Sequence, residues 1–107
     1  MSVKVNNVKS AVLGILGLDY VSSDPKITWT ISELQNRIEE YGFTSPTHQS
    51  LFKSTRDLNN THLTRVYNKG GWNYSLLTDE KVLKEVQAYA QLFSLELQSK
   101  SLVRTED

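Results

Sequence analysis

Between Ser45 and Tyr74 the chain gathers four cations, Lys53, Arg56, Arg65 and Lys69, against a single carboxylate, Asp57. Hydrogen-bonding side chains stand among them: Thr47, Gln49, Ser50 and Asn68. Guanidinium and ammonium groups grip phosphate oxygens, an amide pairs with the edge of adenine, and arginine or lysine pairs with that of guanine. Gln49 is therefore expected to meet adenine, Lys53 and Arg56 guanine or phosphate, and Thr47 and Ser50 phosphate or base. Arg65, Asn68 and Lys69 are expected on phosphate, where they add salt-dependent affinity.

The distribution of charge supports that reading more than its total does. Formal net charge over the 107 residues is zero, which argues against a basic coat that binds nucleic acid indiscriminately. Residues 1–44 carry four basic side chains against five acidic, residues 45–75 four against one, and residues 76–107 four against six. The positive excess and both histidines occupy the middle third.

Other chemistries find less support. With no cysteine, disulfide frameworks, thiolate zinc sites and thiol nucleophiles are excluded. His48 and His62 are spaced poorly for a metal site, have no carboxylate cluster beside them, and read as surface side chains. No metal or cofactor is expected. Ser45, His48 and Asp57 are the residue types of a nucleophilic triad, but no nucleophile elbow or glycine-rich oxyanion loop accompanies them, so no enzyme activity is expected. Lys69-Gly70-Gly71 lacks the remaining residues of a phosphate-binding loop. The apolar run Ala11–Leu18, broken by Gly14 and Gly17, is too short to span a bilayer, and no targeting segment is visible. A cytoplasmic location follows as the default, and the Asn-x-Ser/Thr triplets at Asn59 and Asn73 are then chance matches.

The elements that must position these side chains are legible from spacing. At 38% hydrophobic and 22% charged residues the composition is that of one globular domain. Val5, Val8, Val12 and Ile15 or Leu16 form an amphipathic stripe, predicting a first helix that ends near Gly17. Lys26–Thr30 reads as a short strand. Thr30-Ile31-Ser32-Glu33 matches a capping box, opening a second helix that Gly42 stops in a left-handed conformation. Ser45 as cap and Pro46 in the first turn open a third helix, 45–59, with Leu51, Thr55 and Leu58 inward and Gln49, Ser50, Lys53 and Arg56 outward. Leu63–Asn68 and Trp72–Leu77 flank Lys69-Gly70-Gly71 as a hairpin. Trp72 and Tyr74 are expected to pack on the adjoining helix. A last helix runs from about Glu80 to Leu97, and 99–107 is expected to be a flexible tail behind a domain of residues 1–98.

That element order, with the stretch LFKSTRDLNNTHLTRVYNKGGWNYSLLTDE, resembles the winged helix-turn-helix superfamily. The likeness covers about residues 5–97. It implies an α+β fold: a three-helix core, a two-stranded β-hairpin wing and an additional C-terminal helix. It further implies that helix 45–59 enters the major groove of double-stranded DNA while hairpin 63–77 serves as wing. Asn59-Asn60 stands where many members place glycine, and asparagine tolerates the left-handed turn required there. The wing carries only Lys69 at its tip.

A small dimeric transcriptional regulator is the leading expectation. The alternatives are a plasmid or viral accessory protein for partition or replication, and a winged-helix module that binds another protein. The last helix is apolar over more than one face, so a homodimer is expected through Val12, Leu16, Leu83, Ala90, Phe93 and Leu97.

Overall fold

The computed structural model describes residues 7–105, with side chains through residue 99. Val5, expected at the start of the first helix, lies outside the described residues. In chain order the elements are α1 (Val8–Tyr20), β1 (Thr28–Trp29), α2 (Ile31–Glu40), α3 (His48–Leu58), β2 (Leu63–Asn68), β3 (Gly71–Leu76) and α4 (Glu80–Thr105). The protein is α+β, and its described residues form four helices and one antiparallel sheet of strand order β1-β3-β2.

α1 runs through Gly17 to Tyr20, one turn beyond the predicted end, because its two glycines are contact points and not stops. It packs on α2, α3 and α4 together. That central position explains why Ala11, Val12, Leu13, Ile15 and Leu16 are all buried, leaving no polar stripe along the middle of the helix. The closest approach is to α4, where a Cβ on Gly17 would lie 2.1 Å from the Val86 carbonyl oxygen. Asn7 caps the helix by accepting from the Ser10 amide at 3.0 Å.

α2 opens with the predicted reciprocal cap. Thr30 Oγ1 accepts from the Glu33 amide at 3.2 Å, and Glu33 Oε1 accepts from the Thr30 amide at 3.1 Å. Gly42 follows the helix with φ of +106°. The α2 face includes Arg37, whose guanidinium Nε donates to both carboxylate oxygens of Asp19 at 3.0 and 3.1 Å. Asp19 is almost fully buried at the end of α1, and it also accepts from Trp29 Nε1 at 2.8 Å. These hydrogen bonds from Arg37 to Asp19 hold the guanidinium pKa well above the ordinary arginine range. One carboxylate thereby ties α1, β1 and α2 together.

β1 contributes only the pairs Thr28↔Ser75 and Trp29↔Tyr74, so it is a clasp that docks the hairpin onto the helices. The hairpin itself pairs Leu63↔Leu76 through Asn68↔Gly71 without a bulge. Its two-residue turn, Lys69-Gly70, is closed by Gly71 at φ +105°, where a side chain would be strained. Because strand side chains alternate, Leu63, Arg65 and Tyr67 share a face with Trp72, Tyr74 and Leu76. That face begins in the core, where Leu63 and Tyr74 are fully buried, and ends outside it at Tyr67.

α4 continues eight residues past Leu97, into the segment predicted as a tail. From Ser99 to Thr105 the sequence contains no glycine or proline, and a helix already nucleated propagates at little cost. Glu106 and Asp107, the end of that predicted tail, lie outside the described residues. No helix among the described residues is long and apolar enough to cross a membrane.

Candidate functional site

α3 turns two chemically different faces to its surroundings. Leu51, Ser54, Thr55 and Leu58 are buried against the core, with Thr55 Oγ1 donating back to the Leu51 carbonyl at 2.9 Å. Opposite them Gln49, Ser50, Phe52, Lys53 and Arg56 line one shallow groove on the protein surface. Four of those five are the polar residues predicted to face outward. Lys53 and Arg56 make no ion pair among the described residues, so their charge is available to a ligand. Asp57, the one acid of this segment, faces Lys9 of α1 at 3.8 Å.

The start of α3 differs from its predicted form. Thr47, not Ser45, is the cap: its Oγ1 accepts from the Ser50 amide at 3.1 Å and donates to Ser50 Oγ at 3.0 Å. Ser45 Oγ instead donates to the Gln35 carbonyl at 3.2 Å, while Gln35 Nε2 donates to the Pro46 carbonyl at 2.8 Å. Those two bonds hold 45–46 against α2 and delay the helix by a few residues. The hydroxyls of Thr47 and Ser50 are therefore engaged in the cap, although both residues are exposed.

The hairpin meets α3 through a stack that the spacing of residues did not reveal. The Arg65 guanidinium lies 4.4 Å from the centroid of Trp72 and 5.4 Å from that of Phe52. Phe52 and Trp72 themselves meet edge-on at 6.2 Å, and Tyr67 meets Trp72 edge-on at 5.1 Å. Arg65, expected on phosphate, is half-buried between two rings. Its Nη1 and the hydroxyl of its cross-strand neighbour Tyr74 are buried with no hydrogen-bond partner among the described residues. A guanidinium over an aromatic face is attracted by the ring quadrupole, so Arg65 acts here as a strut holding the hairpin to α3.

Asn68 and Lys69 sit at the tip. Asn68 Oδ1 accepts from the Gly70 amide at 2.9 Å and so helps to form the turn. Lys69 is exposed and has no ion-pair partner among the described residues. Behind the hairpin, Asn60 takes φ of +68°, the left-handed turn that asparagine tolerates. It lets the chain leave α3 and enter β2, and Asn59 Oδ1 accepts from the Arg65 amide at 3.2 Å.

Two groups of residues are placed otherwise than predicted. Val12, Leu16, Ala90 and Phe93, expected at a dimer interface, are buried inside this chain where α1 packs on α4. Leu83 and Leu97 are half-buried and pack against the same core. The breadth of the apolar stripe on α4 arises because α1 and the ring of Phe43, stacked on Phe93 at 4.6 Å, need it. His62, expected on the surface, is half-buried, and its Nε2 lies 2.5 Å from Glu85 Oε2, joining the start of β2 to α4.

The remaining candidate chemistries do not assemble. Ser45 is engaged with Gln35, Asp57 faces Lys9, and no hydrogen bond joins either to His48 among the described residues. Among those residues no group of three or more His, Cys, Asp and Glu side chains is placed to hold a metal ion. The arrangement that does assemble is a donor-rich cationic helix face bordered by the stack of Phe52, Arg65 and Trp72. No family model, curated protein or solved structure matches the chain.

Proposed function

We propose that this chain is a sequence-specific double-stranded DNA-binding protein of winged helix-turn-helix architecture, acting in the cytoplasm as a small transcriptional regulator. α2 and α3 form the helix-turn-helix, α3 lies in the major groove, and the β2–β3 hairpin is the wing. The observation that carries this reading is the outer face of α3, where Gln49, Ser50, Lys53 and Arg56 line one groove and both cations are unpaired among the described residues. A major groove about 12 Å wide admits one helix, and these are the side-chain types that pair with base edges and phosphates. Lys69 at the hairpin tip reaches a neighbouring phosphate. Arg65 supports the geometry from behind.

A domain this small makes few phosphate contacts alone, so the reading includes two copies on two half-sites. With the core side chains of α1 and α4 unavailable, the exposed Leu92 and Leu95 of α4 remain for contact between copies.

The test is selection of bound duplexes from a random pool, followed by titration of the enriched duplex at several salt concentrations. Lys53→Ala, Arg56→Ala and Lys69→Ala are each expected to reduce the slope of log K against log salt by about 1. Arg65→Ala is expected to weaken binding while leaving the slope in place. An enriched inverted repeat supports two copies. No duplex bound at low salt overturns the proposal.

A protein-interaction module is the second reading. It is favoured by Val66 and Tyr67, 55% and 68% exposed on the outer strand β2. It predicts an unenriched pool.

A further inference from the structure

Phe52 is the one apolar side chain lining the groove on α3. It stands three residues after Gln49 and four before Arg56, in the same helical row as both. The residue is 36% exposed, an unusual position for phenylalanine on a face otherwise made of donors. From the hairpin side it meets the Trp72 ring in a T-shaped contact and the Arg65 guanidinium. Its orientation is thus fixed before any ligand arrives, and its free side belongs to the groove.

A ligand for this groove must present an apolar group among hydrogen-bond acceptors. In the major groove one natural base does so: thymine shows its 5-methyl group beside the O4 acceptor, next to the N7 acceptor of the paired adenine. Resting on the DNA-binding reading above, we infer that Phe52 is a specificity residue that packs on a thymine methyl, with Gln49 directed at adenine in the same or the adjoining base pair. Arg65 and Trp72 are positioning residues for that ring. Each half-site then contains an obligatory A·T pair under the middle of α3.

The test uses the enriched duplex with each thymine replaced in turn by deoxyuridine, which removes only the methyl group. Affinities are measured by fluorescence anisotropy for the unaltered chain, Phe52→Ala and Phe52→Leu. One thymine in each half-site is expected to lose affinity about three- to fivefold on this replacement, the effect of burying one methyl group. The same replacement is expected to cost Phe52→Ala nothing further, while Phe52→Leu, which keeps an apolar tip and a filled site, retains part of the penalty. Duplex binding in which every uridine replacement is neutral overturns the inference and leaves DNA binding standing. So does a penalty that persists unchanged in Phe52→Ala. A pool with no enriched duplex overturns both.

Discussion

Replacing Gly17 by alanine should destabilise the protein, although alanine is the better helix former. The added methyl carbon would stand 2.1 Å from the Val86 carbonyl oxygen, 2.7 Å from its carbonyl carbon and 3.0 Å from Ala90 Cβ. A carbon rests no closer than about 3.3 Å to a carbonyl oxygen, so α1 and α4 must part by about 1 Å. The obstacle is backbone, so no rotamer change relieves it. A gap of that size forfeits a quarter to a half of the dispersion attraction between the facing atoms, and overpacking of this kind costs up to about 3 kcal/mol. Against this, alanine gains about 1 kcal/mol of helix propensity over glycine. The net is a loss of about 2 kcal/mol, which for a domain of this size lowers Tm by about 10 °C. Gly14→Ala is the milder comparison: its methyl would meet Phe93 Cβ at 2.8 Å and the Tyr89 carbonyl oxygen at 3.3 Å, a smaller overlap than the one at Gly17. Thermal and urea unfolding of the two variants settle the matter. A Gly17→Ala protein as stable as the parent, or more stable than Gly14→Ala, refutes the packing of α1 on α4 described above.

Two further outcomes follow from the ion pairs. Asp19→Asn leaves Arg37 without its buried counter-charge and should cost about 2–3 kcal/mol, less than for a fully buried pair because the Arg37 side chain is 28% exposed and also meets Glu40. Urea unfolding followed by tryptophan emission reads both the loss and the changed surroundings of Trp29, and an unchanged midpoint sinks the idea. Glu33, hydrogen-bonded to Lys26, has its pKa lowered by that contact, with burial opposing. A lowered carboxylate pKa adds stability that is complete above the unfolded value, about 4.3, and is lost as pH falls through the folded one. Glu33→Gln should therefore flatten the fall in stability below about pH 4.3, by no more than the roughly 1 kcal/mol of an exposed pair. An identical acid limb in both proteins counts against it.

The helices and hairpin were legible because each carries a local signal. Thr30 and Glu33 form a cap that depends only on their spacing, and Lys69-Gly70-Gly71 makes a turn from three consecutive residues. The misreadings all involve what lies across the fold. Gly17 looked like a stop because propensity is a property of one helix, whereas its use is an approach to Val86, far along the chain. Phe93 and Val12 looked like surplus apolar surface because nothing in either helix announces that the two helices cover each other. Ser45-Pro46 has every local mark of a helix start, yet Gln35 of α2 takes both ends of that dipeptide. For the site, the outward face of α3 followed from helical periodicity alone. The stack of Phe52, Arg65 and Trp72 did not, since it depends on hairpin register: only Arg65↔Tyr74 pairing puts Arg65 on the face that meets α3.

That stack changes how the charge of the middle third should be counted. Of the four cations expected to meet a nucleic-acid ligand, Arg65 is engaged with two rings. Lys53, Arg56 and Lys69 remain. At about 0.9 of a released counterion for each phosphate neutralised, one copy gives a salt slope near −2.7 and two copies near −5.4. A slope of that size is shallow for a tight duplex binder, so the proposed function requires affinity at physiological salt to come largely from base contacts on α3 and from a second copy. On the proposed reading, a protein of zero net charge that offers only Lys53, Arg56 and Lys69 on this side binds DNA well only if it also binds selectively. Measured slopes near −8 or steeper would mean that cations elsewhere on the chain, outside the face of α3, carry the interaction.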